Sequence, residues 1–266
     1  MNAFTLQTMM YHDQRPLVDA LHQAHLDRKD VDWEKIIYSG IPWLPLDIKP
    51  PSLDQQLLAQ DVQRWFYSSG VDKHSLQTAG FTESNIVGDS ISQRLDNEPE
   101  KRLWQGKMLF GPEDWIKETY TGTIYVEYTM ARRFRDRMRC AWDIDEQHPI
   151  RKFVSSMVNE QDLYSVSVFL LPPDEYLDPH LDYNQGLRIG LASIFWGAQW
   201  DEGNDFGLAG FGLAPIKQDW VGLIDTFNHP HWVINRSKRD RINIVINLEH
   251  SAIATLIENS WRRIWQ

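Results

Sequence analysis

A mainly β fold with flanking helices, an antiparallel sandwich or closed jelly roll, is what the sequence predicts, and three observations carry the expectation. Beyond about residue 160 the chain breaks into short runs rich in Val and Ile: YSVSVFLL (164 to 171), GLRIGLASIFW (186 to 196), DWVGLIDTF (219 to 227), HWVINRS (231 to 237) and RINIVINLE (241 to 249). Pro, Gly, Asn and Asp turns separate the runs, which argues against alternating βαβ units. In RINIVINL, Arg241, Asn243, Val245 and Asn247 share one face of a strand, while Ile242, Ile244, Ile246 and Leu248 share the other. A strand with one polar face and one apolar face suits a barrel whose interior holds a ligand, so a cupin-like barrel fits these parts.

The elements before this core read differently. LVDALHQAHLDR (17 to 28) has helical spacing of apolar residues, and IPWLPLDIKPPSLD (41 to 54), broken by four prolines, must be extended or turning. SLDQQLLAQDVQRWF (52 to 66) reads as an amphipathic helix with Ser52 or Asp54 as its cap. MARRFRDRMRCAW (130 to 142) sets five arginines in eight residues, with Phe134 and Met138 spaced i,i+4, and reads as a helix whose charged face is solvated. SAIATLIENSWRRIW (251 to 265) reads as a closing helix packed on the outside of the barrel. The whole chain is expected to form a single domain: residues 1 to 150 make a helical and irregular elaboration, and 160 to 250 make the core that carries the site.

Composition narrows the function. With 266 residues, 42% of them hydrophobic, the chain can bury a substantial core. A formal net charge of -10 works against broad phosphate neutralisation, so nucleic acid is not an expected partner. No run approaches the roughly 18 to 20 apolar residues that cross a bilayer. The only cysteine, Cys140, has no internal partner, and MNAFTLQTMMYHDQRP lacks the basic start and apolar run of a secretory signal, so a reducing cytoplasm is the expected location. Twelve tryptophans are expected mainly to pack the core, because aromatics fill cores more often than pockets. Oligomeric state stays open.

The chemistry-bearing residues lie in PHLDYNQGLRIG and HWVINRSKRDRINIVINL. His180 and Asp182 are two apart and fall on one side of an extended segment. His231 follows His180 by 51 residues and opens a strand, and Arg241 opens the next one, ten residues on. Two imidazoles and one carboxylate occupy one face of an octahedral metal and leave three positions open, the arrangement of non-haem Fe(II) oxygenases. A 2-oxoacid chelates through two of those positions and dioxygen takes the third. The distal carboxylate of such a cosubstrate needs a fixed cation, and an arginine offers a bidentate fork with a permanent charge; Arg241 is the candidate. A lone His-x-Asp is weak evidence, since surface turns often contain it, and the ordered combination is what gives the set its specificity. His229 is an alternative distal ligand, but it precedes Pro230 in a turn, whereas His231 shares a strand face with Val233 and Asn235.

Over residues 160 to 250 the sequence resembles the Fe(II)/2-oxoglutarate dioxygenases, and within them the aspartyl/asparaginyl β-hydroxylase-like branch. The resemblance runs through SVSVFLLPPDEYLDPHLD, the LRIGLAS strand and GLIDTFNHPHWVINRSKRDRINIVI. It implies a double-stranded β-helix, with His180, Asp182 and His231 matching the metal ligands and Arg241 matching the 2-oxoglutarate arginine. Arg188 resembles a second arginine near the cosubstrate's metal-side carboxylate, at a spacing that is not identical, and Ser167 stands near a family serine in a shifted register. Asp182 completes the triad, which argues against a halogenase, where a small residue leaves room for chloride. Hydroxylation of an amino acid, peptide or related small molecule, with release of succinate and CO2, is the activity the resemblance implies. Tyr183, Asn184 and Trp196 are candidates to face the substrate. Two rival readings remain: a zinc hydrolase on the same ligands, and a non-catalytic cupin-like metabolite-binding protein. Neither gives Arg241 a reason to be there.

Overall fold

The computed structural model describes residues 43–67, 105–113, 119–120, 139–180, 191–226 and 230–249, and positions 252–253, 255–257 and 259–260 near the end. The segments expected as helices at 17 to 28 and 130 to 138 lie outside these residues. In chain order the elements are β1 (Trp43–Pro45), α1 (Gln55–Val62) running on into a π turn (Gln63–Tyr67), β2 (Gln105–Pro112), β3 (Thr119–Tyr120), β4 (Cys140–Trp142) and α2 (Pro149–Met157). The core strands follow: β5 (Leu163–Leu171), β6 (Tyr176–His180), β7 (Leu191–Gln199), β8 (Asn204–Leu208), β9 (Gly212–Leu213), β10 (Val221–Ile224), β11 (His231–Asn235) and β12 (Arg241–Glu249).

These strands make two antiparallel sheets. The larger has the order β1-β10-β7-β12-β5-β2-β3, with β4 also paired to β2, and the smaller has the order β6-β11-β8-β9. Successive core strands cross between the sheets: β5, β7, β10 and β12 lie in the larger, β6, β8, β9 and β11 in the smaller. The first and last core strands, β5 and β12, are hydrogen-bonded neighbours from Arg241↔Leu171 to Leu248↔Leu163. This is the jelly-roll arrangement of a double-stranded β-helix, as the strand pattern predicts. The strands from the amino-terminal half extend the larger sheet on both sides, β1 beyond β10 and β2 beyond β5.

Strand alternation divides the apolar residues into two clusters. Val166, Val168 and Leu170 of β5, Ile194 and Trp196 of β7, and Ile242, Ile244, Ile246 and Leu248 of β12 form the outer cluster, under the helices. Phe169 and Leu171 of β5, Phe195 of β7, Phe206 and Leu208 of β8, and Val233 of β11 form the inner one, between the sheets. Each Leu, Ile or Phe so buried contributes roughly 1.5–3 kcal/mol. α1 starts where expected: the Asp54 carboxylate accepts from the N–H of Gln56 at 2.8 Å, and Leu58 and Val62, one turn apart, are buried. α2 opens with Pro149, the His148 ring Nδ1 caps it by accepting from the Ile150 N–H, and Phe153 meets Trp196 edge-on at 4.9 Å between ring centroids. The helical positions near the carboxyl end bury Ile253, Leu256 and Ile257 in the same outer cluster, as expected of a closing helix.

Two expectations need correction. Residues 140 to 142, read as the end of a charged helix, form β4, because Cys140, Ala141 and Trp142 pair with Pro112, Gly111 and Phe110 of β2, and the Trp142 and Phe110 rings meet at 5.0 Å. Arg139, just before it, is 86% exposed and pairs with Glu113, in keeping with a solvated charge. Trp196, a candidate to face the substrate, sits on the opposite side of β7 from the interior and is fully buried in the outer cluster. Trp43, Trp65, Trp200 and Trp220 are also buried in the two clusters, so core packing explains most of the described tryptophans. None of the helices among the described residues is long and apolar enough to cross a membrane.

Candidate functional site

The smaller sheet brings the two histidines together. β6 and β11 pair antiparallel with His231↔His180, Val233↔Leu177 and Ile234↔Tyr176 as Cα partners. From Leu177 to His180 is three residues, while Val233 to His231 is two, so the register shifts by one through a bulge. That extra residue makes His180 the direct partner of His231, a position about 4.5 to 5.5 Å away at Cα in an antiparallel pair. Asp182, Tyr183, Asn184 and Arg188 lie in 181–190, and His229 lies in 227–229, outside the described residues. Among the described residues no group of three His, Cys, Asp or Glu could hold a metal ion.

His231 opens β11 facing inward, since His231, Val233 and Asn235 are buried while Trp232 and Ile234 are half-buried. Its ring stacks on Phe206 with centroids 5.3 Å apart and an interplanar angle of 1°. Phe206 reaches it from β8, where it is the register partner of Val233.

Arg241 opens β12, opposite Leu171, and is 2% exposed. Its guanidinium carbon lies 4.4 Å from the Trp200 ring centroid, 5.8 Å from Phe195 and 6.0 Å from Phe206, so three aromatic rings surround it. Such contacts partly offset the loss of water, by roughly 0.5–2 kcal/mol each. Among the described residues no carboxylate pairs with it, and its Nε is buried without a hydrogen-bond partner. Burial alone lowers its pKa, to about 9, which still leaves it charged at neutral pH. A buried cation lacking a counter-charge is costly, and a carboxylate meeting its edge would relieve that cost. Phe206 is therefore a neighbour of both the His231 imidazole and the Arg241 guanidinium.

The inner face of the larger sheet continues as a polar strip. Asn243 and Asn247, on the same side of β12 as Arg241, are buried. The Ser193 hydroxyl donates to the Asn247 carbonyl oxygen at 2.6 Å, and the Asn247 amide donates to the Ser165 hydroxyl at 3.0 Å. Ser167 is buried opposite Val245. It is four residues along β5 from Leu171, the partner of Arg241, which puts it roughly 13 Å away along the strand. The fold thus pairs His180 with His231 in register and brings His231 and Arg241 to a common neighbour, the Phe206 ring, while Ser167 lies four residues along β5 from the partner of Arg241. Sequence reading missed Phe195, Trp200 and Phe206 as parts of the site. Strand β8 reads NDFGL, three turn-forming residues in five, and carries no strand pattern that would have flagged Phe206.

No family model and no curated protein matches this chain. Among solved structures the chain is similar to a 2OG-Fe(II) oxygenase family oxidoreductase from Burkholderia pseudomallei, at 11% identity over 88% of this chain and 90% of that one, TM-score 0.36. It is also similar to a non-heme monooxygenase, ThoJ, in a nickel complex, at 11% identity over 78% and 73%, TM-score 0.38. A cupin 2 conserved barrel domain protein from Salinispora arenicola aligns at 11% identity over 35% of this chain and 68% of that one, TM-score 0.24. What the described residues themselves define is a double-stranded β-helix with two register-paired histidines and a buried arginine.

Proposed function

We propose that this chain is an Fe(II)- and 2-oxoglutarate-dependent oxygenase that hydroxylates an amino acid, a peptide or a related small molecule. The observation that carries this reading is Arg241: a fully buried guanidinium, walled by aromatic rings and without a carboxylate among the described residues, beside a strand pair that carries two histidines. His180 and His231, with Asp182, would hold iron, and Arg241 would receive the distal carboxylate of the cosubstrate through two parallel N–H···O bonds. Iron bound there supplies the coupling of dioxygen reduction to oxidative decarboxylation, so that one substrate C–H becomes C–OH while 2-oxoglutarate and O2 become succinate and CO2. The protein's own part is to hold the two ends of the cosubstrate at a fixed spacing. His231 is kept flat against Phe206, Arg241 is kept stacked on Trp200, and the inner aromatic cluster excludes water between them. Substrate class follows the resemblance of residues 160 to 250.

The test is anaerobic addition of Fe(II) and 2-oxoglutarate to the purified protein. A visible charge-transfer band that disappears in Asp182→Ala is the expected result. Bound iron with no band would favour a metallohydrolase or a metabolite-binding barrel instead. Hydrolysis without oxygen would single out the former.

A further inference from the structure

The hydrogen bonds around Asn235 give this buried residue a job of its own. Asn235 closes β11 and is completely buried. Its amide nitrogen donates to the Leu171 carbonyl at 2.9 Å and to the Arg239 carbonyl at 2.8 Å. Its side-chain oxygen accepts from the Ser237 N–H at 2.9 Å and the Ser237 hydroxyl at 2.7 Å. Its own backbone N–H donates to the Glu175 carbonyl at 2.8 Å, immediately before β6. The amide thus uses both donors and both acceptor positions, the most an Asn side chain can do.

The partners matter more than the count. Leu171, in the larger sheet, is the register partner of Arg241. Arg239 lies two residues before Arg241 in the turn from β11 to β12, and Glu175 leads into the strand that ends at His180. One side chain therefore ties the strand of His231 to the strand facing Arg241, and its backbone ties the same point to the strand of His180. Two ion pairs at this turn, Arg236 with Asp205 and Arg239 with Asp201, have arginine side chains 58% exposed and contribute little in water, and two single bonds tie it elsewhere, the Arg236 N–H to the Gly203 carbonyl and the Gln199 amide to the Asp240 carbonyl. We propose that Asn235 is a positioning residue that sets the separation between the histidine pair and Arg241, and so tunes the site to the length of a five-carbon dicarboxylic oxoacid. This rests on the iron and 2-oxoglutarate reading of the site.

Asn235→Asp keeps the shape and the acceptor oxygen but removes both donors. The probes are 2-oxoglutarate and pyruvate, titrated anaerobically into the Fe(II)-loaded full chain and read by the charge-transfer band. Pyruvate chelates iron through the same oxoacid head but has no distal carboxylate to reach Arg241. The expected result is that the preference for 2-oxoglutarate over pyruvate falls by about ten-fold or more, as weakening of hydrogen bonds to a charged group does, while pyruvate affinity stays within about two-fold. Equal weakening of both oxoacids, or an unchanged ratio with only a lower melting temperature, would overturn the proposal. If Asn235→Asp does not fold, Ser237→Ala removes one donor to the same amide from a half-buried turn residue. It should shift the ratio the same way by about two-fold, since a single neutral hydrogen bond is lost, and no shift would count against the proposal. No band with either oxoacid in the unmodified chain would instead sink the iron reading itself, and the positioning role of Asn235 with it.

Discussion

Arg241 has a charge that no carboxylate among the described residues neutralises, and its properties follow from that imbalance. Its pKa is lowered to about 9 because burial disfavours the protonated form. The sign matters: the guanidinium holds its proton below about 9, so carboxylate binding is at full strength at neutral pH and weakens only as pH rises past that value. We expect the dissociation constant for 2-oxoglutarate to be flat between about pH 7 and 8, with a titration there pointing to another group. Arg241→Ala should raise that constant at least ten-fold, since a hydrogen bond to a charged group contributes about 1.5–3 kcal/mol. Arg241→Lys should recover only part of it, because a point charge lacks the planar fork. Both are read by titrating the charge-transfer band. Phe206 is the second residue of consequence at this scale. Phe206→Leu removes the ring stacked on His231 and one wall of the arginine site, and should weaken both Fe(II) and 2-oxoglutarate binding several-fold, as loss of an aromatic pair worth about 0.5–1.5 kcal/mol allows. An effect on 2-oxoglutarate alone would show that the stack does nothing for the histidine.

β7 shows how one strand serves two cores. Phe195 points inward to the arginine, and Trp196, its neighbour, points outward to Phe153 of α2. Trp196→Ala should therefore cost about 3–5 kcal/mol of stability in denaturant unfolding, as removal of a buried aromatic does, and leave the 2-oxoglutarate affinity of the folded fraction unchanged. A loss of affinity without loss of stability would return Trp196 to the substrate side. β10, on the next position of the sheet, is confined by a glycine. A Cβ on Gly222 would collide with the Trp220 ring and stand 2.7 Å from the Leu44 carbonyl oxygen of β1, so the edge strand can only approach because no side chain is there. Alternation along β5, β7 and β12 was legible in the sequence, since period-2 patterning is a local property of the chain. β6 and β8 were not: YLDPH and NDFGL carry the Pro, Asp, Asn and Gly that usually mark turns, and they become strands only by pairing with β11 on either side.

Across the whole molecule, the proposed site would couple folding to ligand. On the proposed reading, His180 of β6 and His231 of β11 in the smaller sheet would hold iron, and Arg241 of β12 in the larger would hold the cosubstrate's distal carboxylate. Binding at one hundred times the dissociation constant adds about 2.7 kcal/mol to the stability of the native state. The expected outcome in thermal unfolding under nitrogen is a rise in melting temperature with Fe(II), and a further rise with 2-oxoglutarate that Arg241→Ala abolishes while keeping the first. A 2-oxoglutarate effect that persisted in the variant would place its carboxylate elsewhere.

The sequence by itself determined the two-sheet class of fold, the inward side of β12, and the order in which His180, Asp182, His231 and Arg241 occur, because strand period and residue spacing are written along the chain. Only the tertiary structure decided that a one-residue bulge makes His180 the partner of His231, that Phe206 neighbours both His231 and Arg241, that Trp196 turns its back on the interior, and that Asn235 ties the two sheets together. The physical reason is common to all four. Register and cross-sheet contact join residues tens of positions apart, and they are set by which hydrogen-bond ladders and apolar faces close together.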